Sequence, residues 1–165
     1  DNRVQKILIA PPMEARGPVT VYIATQNVGI YRSTNNGDAW TDLRKGMETF
    51  EGAFDYKALV LAPDHPGMLL YAAKYGILRS LDSGTTWQPL TLLTKPGTVD
   101  IMALAVNPKK SDEIVYATAT TFYKTSDGGR SWVAKKLPTS RSASVLHVDA
   151  GDGNAIWMGT LKVKK

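Results

Sequence analysis

Two acidic residues recur at the same offset from proline-ended apolar segments, and paired carboxylates of this kind can perform acid–base chemistry. Asp55 and Asp100 each lie eight residues before the proline that ends such a segment. In the first and last copies of the segment the same offset is occupied by Arg3 and Ser142. Because glycoside cleavage uses two carboxylates that face each other across a groove, Asp55 and Asp100 are the candidate pair for such chemistry.

The longest connection between predicted strands, residues 41–56, carries three aromatic side chains among charged ones. These are Phe50, Phe54 and Tyr56. A connection of this length is often functional, and exposed aromatic side chains on it predict a binding rim. The alternative is that the acids only begin strands and the aromatic side chains only cover the neighbouring sheet. The residues alone leave both interpretations open.

Other residue types with ligand-binding chemistry occur without partners at a useful spacing. The sequence has no cysteine, which excludes thiolate metal sites, and His65 and His147 stand apart from any acidic cluster at metal-ligand spacing. Arg32 and Arg79 occupy matching places in successive repeats, with Lys124 in the third, so we expect them to serve the sheet surface. We therefore expect no metal, no cofactor and no catalytic residue.

The composition is that of a globular chain able to form a hydrophobic core. Hydrophobic residues make up 43% and charged residues 21% of the chain. The net charge of +5 comes from short basic pairs without the interleaved aromatic residues that stack on bases, so no nucleic-acid partner is expected. No apolar run reaches 18 residues, so no membrane span is expected.

The elements that position these residues repeat along the chain. An eight-residue stretch ending in tryptophan, here termed a box, occurs at 33–40, 80–87 and 125–132. The boxed tryptophans are 47 and then 45 residues apart, a spacing typical of stacked supersecondary units. Each box follows two β-rich segments, such as TVYIAT and GIYRS, and the repeats align Tyr22, Tyr71, Tyr116 and Trp157 at one position.

Short β-rich segments with turn signals at close spacing predict an all-β chain. Apolar residues at consecutive positions predict sheets that are covered on both faces, as in a β-propeller. The sequence thus predicts one propeller segment over residues 1–165, of about 3.75 four-stranded blades. The predicted bounds are 3–44 for blade 1, 55–92 for blade 2, 100–137 for blade 3 and 142–165 for an incomplete blade 4.

The boxes resemble the Asp-box, or bacterial neuraminidase repeat, of pattern Ser/Thr-x-Asp-x-Gly-x-Thr/Ser-Trp. In this hairpin the acidic or amide side chain accepts backbone N–H groups, the glycine takes a positive φ and the tryptophan covers the apolar side. The first box departs from the pattern at Asn35 and Ala39. The residues expected to have this structural role are Ser33, Asn35, Gly37, Trp40, Ser80, Asp82, Gly84, Thr86, Trp87, Thr125, Asp127, Gly129, Ser131 and Trp132.

The order of apolar strand, Tyr-Ala-Thr segment, Gly-Ile-Tyr-Arg-Ser segment and box is most similar to propellers of the photosystem II stability/assembly factor type. It also resembles xyloglucan-cleaving glycoside hydrolases and sortilin-type receptors. The first resemblance implies a protein partner and favours a periplasmic or extracellular location. The xyloglucanase resemblance implies a catalytic acid near residues 24–32, where this chain has Gln26 and Asn27. An amide cannot serve as the general acid or base.

These patterns predict a non-catalytic protein-binding or assembly scaffold. Its site is expected at the channel mouth, where the first strands begin and where Arg3, Asp55, Asp100 and Ser142 should lie, with Tyr56, Phe50 and Phe54 on the adjoining connection. The alternative is a fragment or degenerate relative of a polysaccharide-active glycoside hydrolase, sialidase-like or xyloglucanase-like, with a carbohydrate partner.

The fourth repeat ends before any box, so we expect a partial ring that a second copy or another propeller segment completes. The first and last blades should then present apolar faces, around residues 7–9 at one end and residues 145–146 and 156–158 at the other. A homodimer is the simplest expected assembly.

Overall fold

The computed structural model describes residues 3–12 and 17–161, which form antiparallel sheets in chain order. Sheet 1 contains β1 (Val4–Ala10), β2 (Thr20–Thr25), β3 (Gly29–Ser33) and β4 (Thr41–Asp42). Sheet 2 contains β5 (Tyr56–Leu61), β6 (Leu69–Ala73), β7 (Gly76–Ser80) and β8 (Gln88–Pro89). Sheet 3 contains β9 (Ala103–Asn107), β10 (Lys110–Ala117), β11 (Thr121–Thr125) and β12 (Val133–Lys136). Sheet 4 contains β13 (Ser142–Val148) and β14 (Ile156–Leu161).

Each four-stranded sheet is an up-and-down meander, because every strand pairs with the next one along the chain. The first strands of consecutive sheets contact one another, so the sheets stack face to face around a common side. A single 3-10 turn at Arg44–Gly46 is the helical element among the described residues. Sheets of this kind stacked in chain order are the blades of a β-propeller, so the predicted all-β propeller segment is confirmed.

Three hydrophobic clusters hold the stack together, one between each pair of consecutive sheets. Sheet 2 shows the consequence for a single strand: Leu59 packs into the cluster shared with sheet 1, and its neighbour Val60 packs toward the cluster shared with sheet 3. The strand β6 likewise buries Tyr71 on one face and Leu70 on the other. Apolar residues at consecutive positions therefore reflect sheets that are covered on both faces.

In the structure, the second strand of sheet 1 is shifted by one residue relative to the alignment of the repeats that the sequence predicted. Tyr22 pairs with Arg32, whereas the residue that pairs with Arg79 in sheet 2 is Leu70. Tyr22 therefore occupies the position of Leu70 and faces sheet 2, while Tyr71 faces sheet 1. The predicted match of the two tyrosines is wrong, because a strand that is apolar on both faces gives no alternation to fix its register.

In the second and third boxes one aspartate accepts hydrogen bonds across the whole turn. Asp82 Oδ1 accepts Ser80 Oγ at 2.8 Å and the Thr86 backbone N–H at 2.8 Å, and Asp82 Oδ2 accepts the Thr86 hydroxyl at 2.6 Å. Asp127 accepts the corresponding bonds from Thr125 and Ser131 at 2.6 to 2.9 Å. Each carboxylate thus ties the start of its turn to the end.

The first box shows why an amide is sufficient there. Asn35 Oδ1 accepts Ser33 Oγ at 2.8 Å and the Ala39 backbone N–H at 2.9 Å, which are the two bonds that Oδ1 makes in the other boxes. The second carboxylate oxygen of the aspartate boxes binds a hydroxyl, and Ala39 has none. The two departures from the pattern therefore compensate each other, because losing the hydroxyl removes the need for the second acceptor.

The box glycines and tryptophans complete the turns. Gly37, Gly84 and Gly129 have φ of 100°, 87° and 92°, which a residue with a Cβ rarely adopts. The Trp87 indole N–H donates to the Gly84 carbonyl at 2.9 Å, and its ring packs edge-on against Tyr71 at 5.9 Å. The turn is thereby attached to the core of its own sheet.

Arginines attach the second and third boxes to the sheet that precedes each of them. An Nη atom of Arg32 in sheet 1 donates to the Ser83 carbonyl at 3.0 Å, and an Nη atom of Arg79 in sheet 2 donates to the Gly128 carbonyl at 3.3 Å. The acceptors lie in the boxes of sheet 2 and sheet 3. These two matched residues therefore link neighbouring sheets through backbone carbonyls.

None of the helical structure in the described ranges is long and apolar enough to cross a membrane.

We expect Asp82→Ala to lower the free energy of unfolding by about 1 to 3 kcal/mol, because the Thr86 N–H and two hydroxyls lose their acceptor. Asp82→Asn should cost less, since the amide oxygen retains the bonds that Asn35 makes in the first box. Urea unfolding of the two variants measures this difference. An alanine variant as stable as the parent would contradict a structural role for the box.

The carboxylate of the third box also predicts a pH dependence. The Ser131 hydroxyl, the Thr125 hydroxyl and the Ser131 N–H hold the pKa of Asp127 far below its ordinary value. A lowered folded-state pKa means that the contribution to stability is complete above the unfolded pKa of about 4 and is lost as the pH falls below it.

We therefore expect the free energy of unfolding to decline between about pH 5 and pH 2.5, and to decline less steeply in Asp127→Asn. Urea denaturation at a series of pH values measures both slopes. Identical slopes in parent and variant would show that the Asp127 carboxylate does not contribute as its hydrogen bonds indicate.

Candidate functional site

The candidate site lies at the end of the sheets where their first strands begin. This end, here called the mouth, also carries the turns that follow β2 and β6 and the connections that lead into β5 and β9. Arg3 directly precedes β1, Asp55 directly precedes β5, and Ser142 begins β13. Asp100 lies in the connection before β9. Sequence reasoning assigned these four residues to one end of the stack. In the structure the first strands of the sheets begin at that end.

Lys57 joins the two candidate carboxylates. Its Nζ atom lies 3.4 Å from Asp55 Oδ1 and 3.6 Å from Asp100 Oδ1. The Gln26 side chain donates from Nε2 to the same Asp55 oxygen at 3.1 Å. Asp55, Lys57, Asp100 and Gln26, here called the mouth cluster, therefore form one polar group drawn from sheets 1 and 2 and the connection to sheet 3.

The two carboxylates of the mouth cluster share one ammonium group. The Oδ1 atoms are separated by no more than the sum of their distances to Nζ, about 7 Å, and glycosidase carboxylates lie roughly 5 to 9.5 Å apart. The spacing alone would admit hydrolysis. However, both carboxylates are in ion-pair contact with the Lys57 ammonium, which a substrate that used both of them would have to displace. The cluster therefore holds two carboxylates and one ammonium group, which leaves one negative charge unbalanced within it.

The first strand and two turns fix this geometry. The Gln26 N–H donates to the Arg3 carbonyl at 3.0 Å, and the Asn27 N–H donates to the Phe54 carbonyl at 2.9 Å. The Lys74 N–H donates to the Asp55 carbonyl at 3.1 Å. The connection before β5 is thus anchored to the turns of both sheet 1 and sheet 2, and Asp55 is held between them.

The connection of residues 43–55 folds against the core between sheets 1 and 2 and is not a loop exposed along its whole length. Met47 and Ala53 are fully buried in the cluster between sheets 1 and 2. Consecutive turns close it, with Phe50 N–H donating to the Met47 carbonyl and Ala53 N–H donating to the Phe50 carbonyl, each at 3.0 Å. The length of the connection is therefore used for packing as well as for placing Asp55.

The aromatic side chains of this connection are half-buried, in contrast to the exposed rim expected from sequence. Phe50 packs edge-on against Tyr75 with ring centroids 5.1 Å apart, and Phe54 packs against the core. Tyr56 lies 6.0 Å from the ring of Tyr71, and burial raises the pKa of Tyr56 to about 12. These contacts match the alternative interpretation, in which the aromatic side chains cover the neighbouring sheet.

Two adjoining concavities on the mouth were not found by sequence reasoning. One of about 380 Å³ is lined by apolar residues that include Ile77, Leu90 and Leu92, and one of about 430 Å³ is lined by Glu51 and Lys74. Tyr75 and Pro96 line both. Their lining combines β7 and the turn before it with residues of the connections before β5 and after β8, so no single repeated motif marks these concavities.

The remaining candidates lie apart from the mouth cluster. Ser142 pairs with Leu161 in sheet 4. His65 belongs to the turn between β5 and β6, at the other end of sheet 2, and His147 lies in β13. Within residues 3–12 and 17–161, no three His, Cys, Asp or Glu side chains come together in a group that could hold a metal ion.

No protein-family model matches the sequence, and no curated protein matches it. Solved structures do match. An ancestral GH74 enzyme superposes with a TM-score of 0.71 at 20% identity, over 96% of this chain and 22% of the enzyme. YCF48 from Cyanidioschyzon merolae superposes with a TM-score of 0.59 at 16% identity, over 86% of this chain and 48% of YCF48.

A structure described as YCF48 bound to D1 peptide gives a TM-score of 0.57 at 18% identity, over 86% of this chain and 43% of that one. The chain therefore spans between a fifth and a half of the length of these structures. At such identities the likeness shows the propeller fold alone.

We expect Lys57→Met to change the free energy of unfolding by less than about 1 kcal/mol, because the ion pairs of Lys57 are partly exposed and screened by solvent. The side chains of Lys57, Asp55 and Asp100 are 28%, 36% and 70% exposed. Thermal and urea unfolding measure the change. A loss of several kcal/mol would show that the mouth cluster is a folding element rather than a surface available for binding.

Proposed function

We propose that the chain is a non-catalytic scaffold that binds a segment of a partner protein at the mouth. The observation that carries this proposal is the position of Lys57. An ammonium group in ion-pair contact with both Asp55 and Asp100 offsets one of their two negative charges, and a substrate that used both carboxylates would have to displace it. Lys57 could donate hydrogen bonds to a bound peptide, and the carboxylates of Asp55 and Asp100 could accept them.

The surface next to the mouth cluster is better suited to a peptide than to a small substrate. Its two concavities are open and shallow, and apolar residues such as Leu92 and Pro96 alternate with Lys74, Lys95 and Glu51. Apolar pockets with charged borders are typical of protein interfaces. A partner segment that places an apolar side chain beside Tyr75 and a polar group near Lys74 would use both.

The similarity to YCF48 supports the same proposal at the level of fold. A structure described as YCF48 bound to D1 peptide shows that a propeller of this kind can bind a peptide. Association with another propeller segment, the second expected partnership, uses the outer faces of the stack instead of the mouth.

The alternative is a degenerate relative of a polysaccharide-active glycoside hydrolase, which the similarity to a GH74 enzyme and the spacing of Asp55 and Asp100 favour. Two features weigh against it. Gln26, an amide, lies where the resemblance implies an acid, and it donates to Asp55. Phe50 and Phe54 are half-buried, which limits the aromatic surface that they could offer to a sugar ring.

We expect no hydrolysis of xyloglucan or of a sialoside above background. Peptide binding is tested separately, with a labelled D1 peptide as the first probe. We expect Lys74→Glu to weaken peptide binding about fivefold, as the loss of one favourable charge contact of about 1 kcal/mol implies. Lys135→Glu is the charge-matched control, because Lys135 is exposed on β12, the outermost strand of sheet 3, and lines neither concavity. Fluorescence anisotropy and reducing-sugar release are the measurements.

Two results would contradict the scaffold. Turnover that disappears in Asp100→Asn would establish the hydrolase alternative, since Asp100 is the more exposed member of the carboxylate pair. Equal weakening of peptide binding by Lys74→Glu and Lys135→Glu would show non-specific attraction to a basic chain.

A further inference from the structure

A cleft between sheets 1 and 2 carries positive charge on its walls. Its volume is about 350 Å³, which lies at the lower end of the range of small-ligand sites, about 300 to 1,000 Å³. The lining residues are Arg32, Thr41, Asp42, Leu43, Lys45, Gly46 and Thr85. None of them belongs to the mouth cluster or lines a concavity of the mouth. The cleft is therefore a separate surface of the molecule.

Arg32 places a half-buried guanidinium group in this cleft. Its Nη1 atom donates to the Ser83 carbonyl at 3.0 Å, whereas Nε is enclosed by the protein and has no hydrogen-bond partner. No carboxylate in the described part of the chain forms an ion pair with Arg32. Because partial burial disfavours a charge that has no partner, Arg32 is suited to bind an anion from outside the chain.

The equivalent arginine of sheet 2 has an acid beside it. Arg79 Nη1 donates to the Gly128 carbonyl at 3.3 Å, which matches the bond made by Arg32. Asp112 Oδ1 and Arg79 Nη1 lie 2.7 Å and 3.4 Å from the point at which a Cβ would be attached to Gly128. The two atoms are therefore separated by no more than the sum of these distances, about 6 Å, which is close enough for mutual stabilisation.

The fold has a glycine at the corresponding place beside Arg32. The Asp112 carbonyl accepts the Gly128 N–H at 3.0 Å, and the Gly67 carbonyl accepts the Ser83 N–H at 2.9 Å in the same way. Gly67 is thus the counterpart of Asp112 and has no side chain that could supply a carboxylate. The two arginines share one role in the fold, but only that of sheet 2 has an acid of the chain next to it.

Lys45 brings a second positive charge to the cleft. Its 3-10 turn packs directly on the second box, since a Cβ on Gly46 would lie 2.5 Å from the Thr85 carbonyl oxygen. Lys45 forms no ion pair with the acids of residues 3–12 and 17–161. The acid that lines the cleft, Asp42, accepts the Arg44 Nε at 2.7 Å and the Arg44 backbone N–H at 2.9 Å. Arg44 offsets that acid, so two positive charges remain.

We propose that this cleft binds a tetrahedral oxyanion, of the phosphate or sulfate kind, between Arg32 and Lys45. A phosphate dianion balances both charges, whereas a single carboxylate balances only one. Guanidinium and ammonium groups form short, charge-assisted hydrogen bonds to such oxyanions. The hydroxyl of Thr41, which also lines the cleft, can add a further donor. The site lies apart from the mouth, so the inference does not rest on the scaffold proposal.

The volume of the cleft admits a free phosphate or a phosphate carried by a small organic group. Inorganic phosphate and phenyl phosphate are the two probes that distinguish these sources. Tighter binding of phenyl phosphate would indicate a phosphate monoester as the ligand, and tighter binding of inorganic phosphate would indicate the free anion. Either result supports an oxyanion site.

The test is isothermal titration calorimetry of the chain with each probe, at about pH 8, where the phosphate group is mainly a dianion. A constant ionic strength keeps the general attraction to a chain of net charge +5 the same throughout. We expect saturable binding of one anion per chain. Arg32→Gln should weaken this binding about tenfold and Lys45→Gln about fivefold, because each variant removes one charged contact.

Arg79→Gln is the matched control. It removes an arginine at the same position of the repeat, with the same contact to a box carbonyl, and should leave the affinity unchanged. Circular dichroism checks folding, because Arg32 also links sheet 1 to the second box. If Arg32→Gln unfolds, Lys45→Gln decides the test, since Lys45 is exposed on the 3-10 turn.

Three results would overturn the proposal. The first is the lack of saturable binding for both probes, and the second is an equal loss of affinity in Arg79→Gln and in the cleft variants. The third is acetate binding as tightly as phosphate, which would show that the cleft does not select a tetrahedral oxyanion.

Discussion

The structure depends on one constraint, namely that its sheets bury apolar side chains on both faces and therefore need a neighbour on each side. Leu59 and Val60, adjacent in β5, enter two different hydrophobic clusters. A sheet of this composition is stable only within a stack, because hydrophobic burial is the main favourable term in folding. The boxes, the arginine contacts and the mouth cluster all depend on the alignment that this stacking imposes.

The sequence predicted the architecture well because stacking requires the same residues in every repeat. The spacing of Trp40, Trp87 and Trp132 was sufficient to predict an all-β propeller segment. Register was predicted less well. The tyrosines at 22 and 71 look equivalent in the sequence and face opposite ways in the structure, since a strand that is apolar on both sides has no alternation to align.

The candidate site was predictable only in part, for the same physical reason. Asp55 and Asp100 were found because they share an offset from the repeated prolines, and Lys57 joins them in the structure. Lys57 itself has no counterpart of like charge in the other repeats and gave no signal. The packing of Phe50 against Tyr75 depends on how a long connection folds, which local sequence does not determine.

The arginine contacts between sheets have a consequence for the order in which the chain acquires its structure. Arg32 and Arg79 bind carbonyls 51 and 49 residues further along the chain. Sheets 1 and 2 are thus each held by a turn that is synthesised later, after a nearly constant number of residues. The chain can therefore complete its contacts stepwise from the amino terminus during synthesis, with loop closures of uniform and moderate length, as in other repeat proteins.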